Sequence, residues 1–231
     1  MSQHLQFASK PADDSFLQVA ELLHRIRNDY ARVISFASQV ATRSSSQETK
    51  SALGEVINHL HTTAETLRVL RPPPAEGLVD FADNLTRLCR VVTTSFKTEY
   101  RGIALLLSVP EPVLLDAVRC WRASLIVFEL IDNASRHAFG SRGGRITVTV
   151  AATSERIACQ VNDDGPSALT FKPGFGAHLV DALAAELDGF VARQLNENGT
   201  TATLSFPRQS PDLAPQLQST GGWGDGGEAL Q

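Results

Sequence analysis

Cysteine, methionine, tyrosine and tryptophan are scarce in this chain, at three, one, two and two of 231 residues. The cysteines, Cys89, Cys120 and Cys159, stand far apart, with no CxxC or HxxxH grouping anywhere. That spacing excludes a disulfide framework and a zinc site and leaves buried structural thiols. No long apolar run is present, so no transmembrane helix and no membrane insertion are expected. The first fifteen residues lack a charged-then-apolar leader pattern, which predicts a cytoplasmic protein. Basic residues are not in excess either: 21 Lys and Arg against 25 Asp and Glu leave a net charge of −4. Nucleic-acid binding by bulk charge is thereby disfavoured, and no basic run restores it. What is there is ordinary globular material, 42% hydrophobic and 20% charged, long enough for one large domain or two small ones.

From Phe16 the apolar residues recur with helical spacing: Phe16, Val19, Leu23, Ile26, Tyr30, Val33, Ala37 and Val40. Alternating steps of three and four make a heptad seam. A helix over 13–43 is about 45 Å long at ~1.5 Å per residue. Asp13, Asp14 and Ser15 are its capping candidates. Residues 42–47 read as a turn. A second stripe follows at Leu53, Ile57, Leu60, Ala64 and Leu67, and Pro72, Pro73 and Pro74 stop it, because proline lacks the N–H a helix needs. Two helices with one seam each leave apolar surface wet. A dimeric four-helix bundle removes it; packing of the hairpin on the rest of its own chain is the alternative.

Beyond the prolines the pattern is mixed. Helices are expected over 78–97, 113–138 and 176–187, and strands over 102–109, 145–150, 156–161, 190–195 and 201–206. The order lacks a regular βαβ rhythm, so the fold class is α+β: a helical hairpin followed by a sandwich with helices on one face of a sheet. Residues 208–231, rich in Pro, Gly, Ser and Gln, read as a disordered tail.

His24 lies beside the seam rather than on it, and Glu21, His24 and Asn28 share one outer face. A neutral imidazole there is a usable nucleophile near neutral pH. The acid three residues before it and the amide four after it can orient the ring and select its tautomer. Three further segments carry chemistry. On the helix over 113–138, Glu129, Asn133, Arg136 and His137 form a polar stripe; Asn133 can supply an oxygen to a hard divalent cation, and Arg136 and His137 can face phosphates. At a strand end, Asp163 can accept the exocyclic amine of a purine, and Gly165 allows close backbone approach. Gly174 and Gly176 open a helix whose N–H groups can meet phosphate oxygens. Gly199-Thr200 introduces the last strand and adds a further candidate contact.

In this order the segments resemble the sensor histidine kinases, specifically the HWE-type group and its closest relatives. Residues Glu21 to Asn28 are similar to their phosphoacceptor box, with His-Arg-x-x-Asn in place of His-Glu; residues 129–139 resemble the N box of the Bergerat (GHKL) ATP-binding fold. Asp163 to Ser167 is similar to the D-x-G-x-G box, and 174–180 to the second glycine box. The resemblance implies a phosphoacceptor at His24, Mg²⁺ held by Asn133, adenine read by Asp163 and phosphates shaped by Gly174 and Gly176. ATP and Mg²⁺ are the implied cofactors. A homodimer and a response regulator receiver domain are the implied partners. Departures are visible: Ser167 stands where the family pattern has glycine, Gln160-Val-Asn162 where the subfamily has W-x-E, and six residues separate Ser167 from Gly174.

The expected division is 13–74 for the dimerisation and phosphotransfer hairpin, 75–207 for the ATP-binding domain, and 208–231 for the tail. No stretch is left for a sensor domain, so an upstream sensor protein is an expected partner. The expected function is ATP-dependent autophosphorylation of His24 and transfer to a regulator aspartate. Two alternatives stand beside it: a phosphotransfer scaffold that uses ATP poorly, suggested by Ser167 and the short lid, and a serine kinase of the anti-sigma type, disfavoured by the long hairpin.

Overall fold

The computed structural model describes residues 12–72, 77–99, 102–139, 142–166 and 175–208. Helix α1 (Ala12–Arg43) and helix α2 (Gln47–Val69) form the hairpin. The turn is shorter than residues 42–47, because α1 runs through Arg43. Ser46 caps α2, its Oγ accepting from the Thr49 N–H at 3.2 Å. α1 begins at Ala12, so Asp13, Asp14 and Ser15 fall within its first turn rather than ahead of it.

The seam on α1 departs from the heptad reading in its second half. Leu23, Ile26, Tyr30, Ile34, Ala37 and Ala41 are at least partly buried, whereas Val33 and Val40 are exposed. An α-helix makes 3.6 residues per turn, so a buried stripe on a straight helix drifts away from a strict seven-residue repeat. Leu22, Val33, Phe36 and Val40 consequently form a second apolar stripe, about a quarter turn round the helix, and Phe36 is 69% exposed.

Two corrections follow the hairpin. The segment read as a helix over 78–97 opens with a strand, β1 (Leu78–Asp80), before α3 (Phe81–Glu99). The one read as a helix over 113–138 likewise opens with a three-residue strand, Leu114–Asp116, rather than with a helical turn. In chain order the strands are β2 (Ile103–Ser108) and β3 (Leu114–Asp116), followed by α4 (Ala117–His137). β1 and β3 pair antiparallel, with Val79 opposite Leu115. Both stubs end in an aspartate that turns the chain into a helix. Asp80 Oδ1 accepts from the N–H groups of Ala82 and Val113, and Asp116 Oδ1 accepts from Arg119 N–H.

The remaining elements are β4 (Gly144–Ala152), β5 (Arg156–Asp163), α5 (Phe175–Ala185), β6 (Phe190–Asn196) and β7 (Gly199–Pro207). The main sheet runs β2-β4-β5-β7-β6, with β2 parallel to β4 and the other pairs antiparallel. Alternation puts Ile146, Val148, Val150, Ile157, Cys159, Val161, Leu204 and Phe206 on the face beneath α3, α4 and α5. Phe81, Leu85 and Leu88 of α3 are fully buried there, each worth roughly 1.5–3 kcal/mol against exposure. The three cysteines are free and buried, and burial pushes the Cys89 thiol up to about 12. Arg208, assigned to the tail by composition, donates its N–H to Glu155 O at 2.7 Å; residues 209–231 lie outside the described residues.

Candidate functional site

Asp163 is the last residue of β5, and its side chain turns into the junction between β5, α4 and β7. It is 5% exposed. Its Oδ1 accepts from the N–H groups of Gly165 at 3.1 Å and Thr200 at 3.3 Å. Burial raises its pKa, opposed by those two backbone donors. Glycine is required on both sides. A Cβ at Gly165 would sit 2.1 Å from the Ala138 carbonyl oxygen at the end of α4; one at Gly199 would sit 1.8 Å from Asp163 O, and Gly199 has φ +139°. Gly199 was not singled out as a site residue on its own, although the Asn-Gly-Thr turn before β7 is its sequence signal. Beside this corner, Asp164 Oδ1 accepts from Arg145 N–H at 2.6 Å, and Thr201 Oγ1 donates to Asn162 Oδ1 at 2.7 Å.

The four residues of the polar stripe all lie on α4. Glu129 is half-buried, and Asn133, Arg136 and His137 are exposed. Arg136 pairs with Asp132 at 2.9 Å. Burial raises the Glu129 pKa, the Asp132 charge adds to the rise, and Arg136 opposes it. A Cβ on Gly176 would stand 2.9 Å from Glu129 Oε2, so the start of α5 closes on the stripe. Gly174 and Ser167 lie outside the described residues. Among the described residues no cluster of three His, Cys, Asp or Glu side chains gathers that could hold a metal unaided. A cation here would take Asn133 and complete its shell with phosphate and water oxygens, as a hard ion does.

His24 sits apart from this corner, exposed on the outer face of α1. Asn28 Nδ2 stands 3.4 Å from its Nδ1, so the amide does reach the ring. Glu21 does not: its carboxylate pairs with Arg25, one turn along the same face. On its other flank, His24 lines a groove between the hairpin helices with Leu23, Arg27, Leu67, Arg68 and Arg71. The three arginines were not singled out from the sequence; Arg27, three residues after His24, was the available signal.

At the junction of the two parts, Trp121 of α4 donates its indole N–H to Leu70 O at 2.8 Å, just past the end of α2. No described helix is long and apolar enough to cross a membrane.

Two family models match the chain. One, described as "Histidine kinase", covers residues 21–96; the other, described as "Histidine kinase-, DNA gyrase B-, and HSP90-like ATPase", covers residues 122–210. The sensor histidine kinase PdtaS of Mycobacterium tuberculosis is 26% identical over 201 residues, 82% of this chain and 39% of the relative. Its counterpart in Mycolicibacterium smegmatis is 26% identical over 200 residues, with the same shares. The chain therefore spans about two fifths of the length of these relatives. Among solved structures, the histidine kinase domain of an Erythrobacter litoralis blue-light activated histidine kinase matches with a TM-score of 0.54 at 18% identity, over 77% of this chain and 96% of that one. The Acinetobacter baumannii histidine kinase AdeS matches with a TM-score of 0.50 at 19% identity, over 81% and 98%. Two helices followed by a helix-covered mixed sheet are the shared fold.

Proposed function

Because this chain belongs to the histidine kinases, we propose that it uses ATP to phosphorylate its own His24 and passes the phosphoryl group to an aspartate on a response regulator receiver domain. The observation that carries this reading is Asp163: a buried carboxylate at a strand end, held by two backbone N–H groups between the end of α4 and the start of β7. A carboxylate so fixed is an acceptor for an adenine amine. We assign residues 13–74 to the phosphoacceptor hairpin and 75–207 to the ATP-binding part.

Within that frame each residue has a task. Asp163 orients the base, with Thr200 and Gly165 holding its carboxylate. Gly176, and Gly174 before it, admit phosphate oxygens close to the backbone at the start of α5. Arg136 and His137 face the phosphates, and Glu129 holds the edge of the site. Asn133 would hold a magnesium ion, which would supply charge neutralisation to the phosphates. The rest is positioning.

At the acceptor, the lone pair of His24 Nε2 attacks the γ-phosphorus in line, the bond from phosphorus to the bridging oxygen breaks, and ADP leaves. The nucleophilic tautomer carries its proton on Nδ1. The Asn28 amide, turned so that Oδ1 accepts from Nδ1–H, selects that tautomer. Glu21 is engaged by Arg25 and does not reach the ring, so the proton released from the ring passes to water. Homodimerisation covers the second apolar stripe of α1, Leu22, Val33, Phe36 and Val40, which one chain leaves bare. A reaction fed by ATP belongs in the cytoplasm, and an upstream sensor protein would act through the hairpin.

The test is labelling with γ-³²P ATP and Mg²⁺, followed by acid treatment. The wild type is expected to gain acid-labile label, and His24→Ala none. Label retained by His24→Ala overturns the assignment, and acid-stable label points instead to a serine kinase.

A further inference from the structure

The groove beside His24 has a composition that the chain as a whole does not share. Six residues line it: Leu23, His24, Arg27, Leu67, Arg68 and Arg71. Three are arginines and none is acidic, in a chain whose net charge is −4. Arg68 is paired with Glu65 at 2.9 Å. Arg27 and Arg71 have no ion pair among the described residues. Arg71 is not needed to finish α2, because its own N–H reaches Arg68 O and the Leu70 N–H reaches Thr66 O. Arg27 is half-buried against the hairpin, so its guanidinium is confined near the groove rather than free to sweep through solvent. The nearest carboxylate on the His24 face, Glu21, is taken by Arg25.

We propose that Arg27 and Arg71 form an anion subsite on the flank of His24 that receives the phosphoryl group, before and after its transfer to the ring. The inference rests on the reading of His24 as phosphoacceptor and adds the groups that hold the transferred charge. A guanidinium presents its N–H donors in a planar fork that matches the oxygens of a phosphoryl group. Two such forks, from α1 and from the end of α2, approach from different helices and so fix the direction of the oxyanion relative to the ring. The groove is shallow and opens to solvent, so an oxyanion would be met at its mouth by the guanidinium donors rather than enclosed. The phosphoryl group arrives from ATP or returns from a phosphorylated regulator. The subsite serves both, since it reads only the oxyanion.

The experiment bypasses ATP. The full chain is incubated with phosphoramidate at constant ionic strength, and phosphohistidine formation is followed by ³¹P NMR. In this reaction His24 Nε2 bonds to phosphorus, the donor's P–N bond breaks, and ammonia leaves with the proton. In parallel, the His24 ring resonances are followed during titration with inorganic phosphate. The wild type is expected to label on His24 and to show a saturating phosphate-dependent shift of that ring. Arg27→Gln with Arg71→Gln is expected to raise the half-saturating donor concentration at least fivefold and to abolish the shift. Arg27→Lys is expected to recover part of the effect, and Arg32→Gln, one turn further on and paired with Asp29, to match the wild type. The wild-type advantage is expected to shrink as salt rises, as screening over about 8 Å at physiological ionic strength requires. A double variant that saturates like the wild type, or a wild-type ring that phosphate does not move, overturns the subsite. ATP labelling that survives His24→Ala overturns the kinase reading separately. Donor labelling of His24 without any ATP labelling would remove the ATP step and leave the subsite standing.

Discussion

Asp163 carries two requirements in one carboxylate. As the proposed adenine acceptor it would have to stay charged, yet burial raises its pKa above the ordinary aspartate value. The folded state therefore keeps the proton to a higher pH than the unfolded chain. Its contribution to stability is full at low pH and is lost as pH rises through the window between the unfolded and the raised value. Asp163→Asn removes that loss and keeps an oxygen for the Gly165 and Thr200 N–H groups. Its chemical denaturation midpoint at pH 7 is expected to equal or exceed the wild type's, while calorimetry is expected to show ATP binding weakened at least tenfold, about 1.4 kcal/mol. Affinity of the wild type for ATP is expected to fall on acidification, beginning at a higher pH than an unperturbed aspartate would give. Gly199 is the backbone counterpart. Its positive φ and the closeness of Asp163 O leave no room for a methyl group. Gly199→Ala is expected to lower stability by about 3 kcal/mol in a denaturant melt and to weaken nucleotide binding with it.

At the scale of elements, the long periodic segments were legible and the short ones were not. α1 and α2 carry enough turns for their spacing to speak, and the strands β4, β5 and β7 alternate cleanly against one core. β1 and β3 are three residues each, too short for any period, and their Leu78 and Leu114 are exposed. The usable sign was the aspartate closing each stub, Asp80 and Asp116, placed as a helix cap immediately before an apolar run. The corner around Asp163 was legible because its residue types are demanding: a carboxylate, then glycine, then a glycine-led strand. The groove arginines were not, since an arginine on a helix is ordinarily a solvated side chain and only the approach of α2 brings Arg68 and Arg71 to His24. Capping offers a direct check on the hairpin. Ser46→Ala deletes the acceptor for Thr49 N–H and is expected to cost about 1 kcal/mol in thermal unfolding, with the ATP-binding corner unchanged.

For the molecule as a whole, the drift of the seam on α1 matters most. Once Ile34 and Ala41 take the inner positions, Val33, Phe36 and Val40 are left facing water, and the proposed homodimer would cover them. Phe36→Glu is expected to shift the protein from dimer to monomer in light scattering at micromolar concentration, with its helical circular dichroism largely retained. The junction between hairpin and sheet adds a different kind of handle. Trp121 spends its indole N–H on Leu70 O, and the chain's other tryptophan, Trp223, lies far along the sequence near the C-terminus. In a Trp223→Phe background the protein thus carries its own optical gauge: emission from a single indole reports on the contact between the end of the hairpin and α4, with no dye attached.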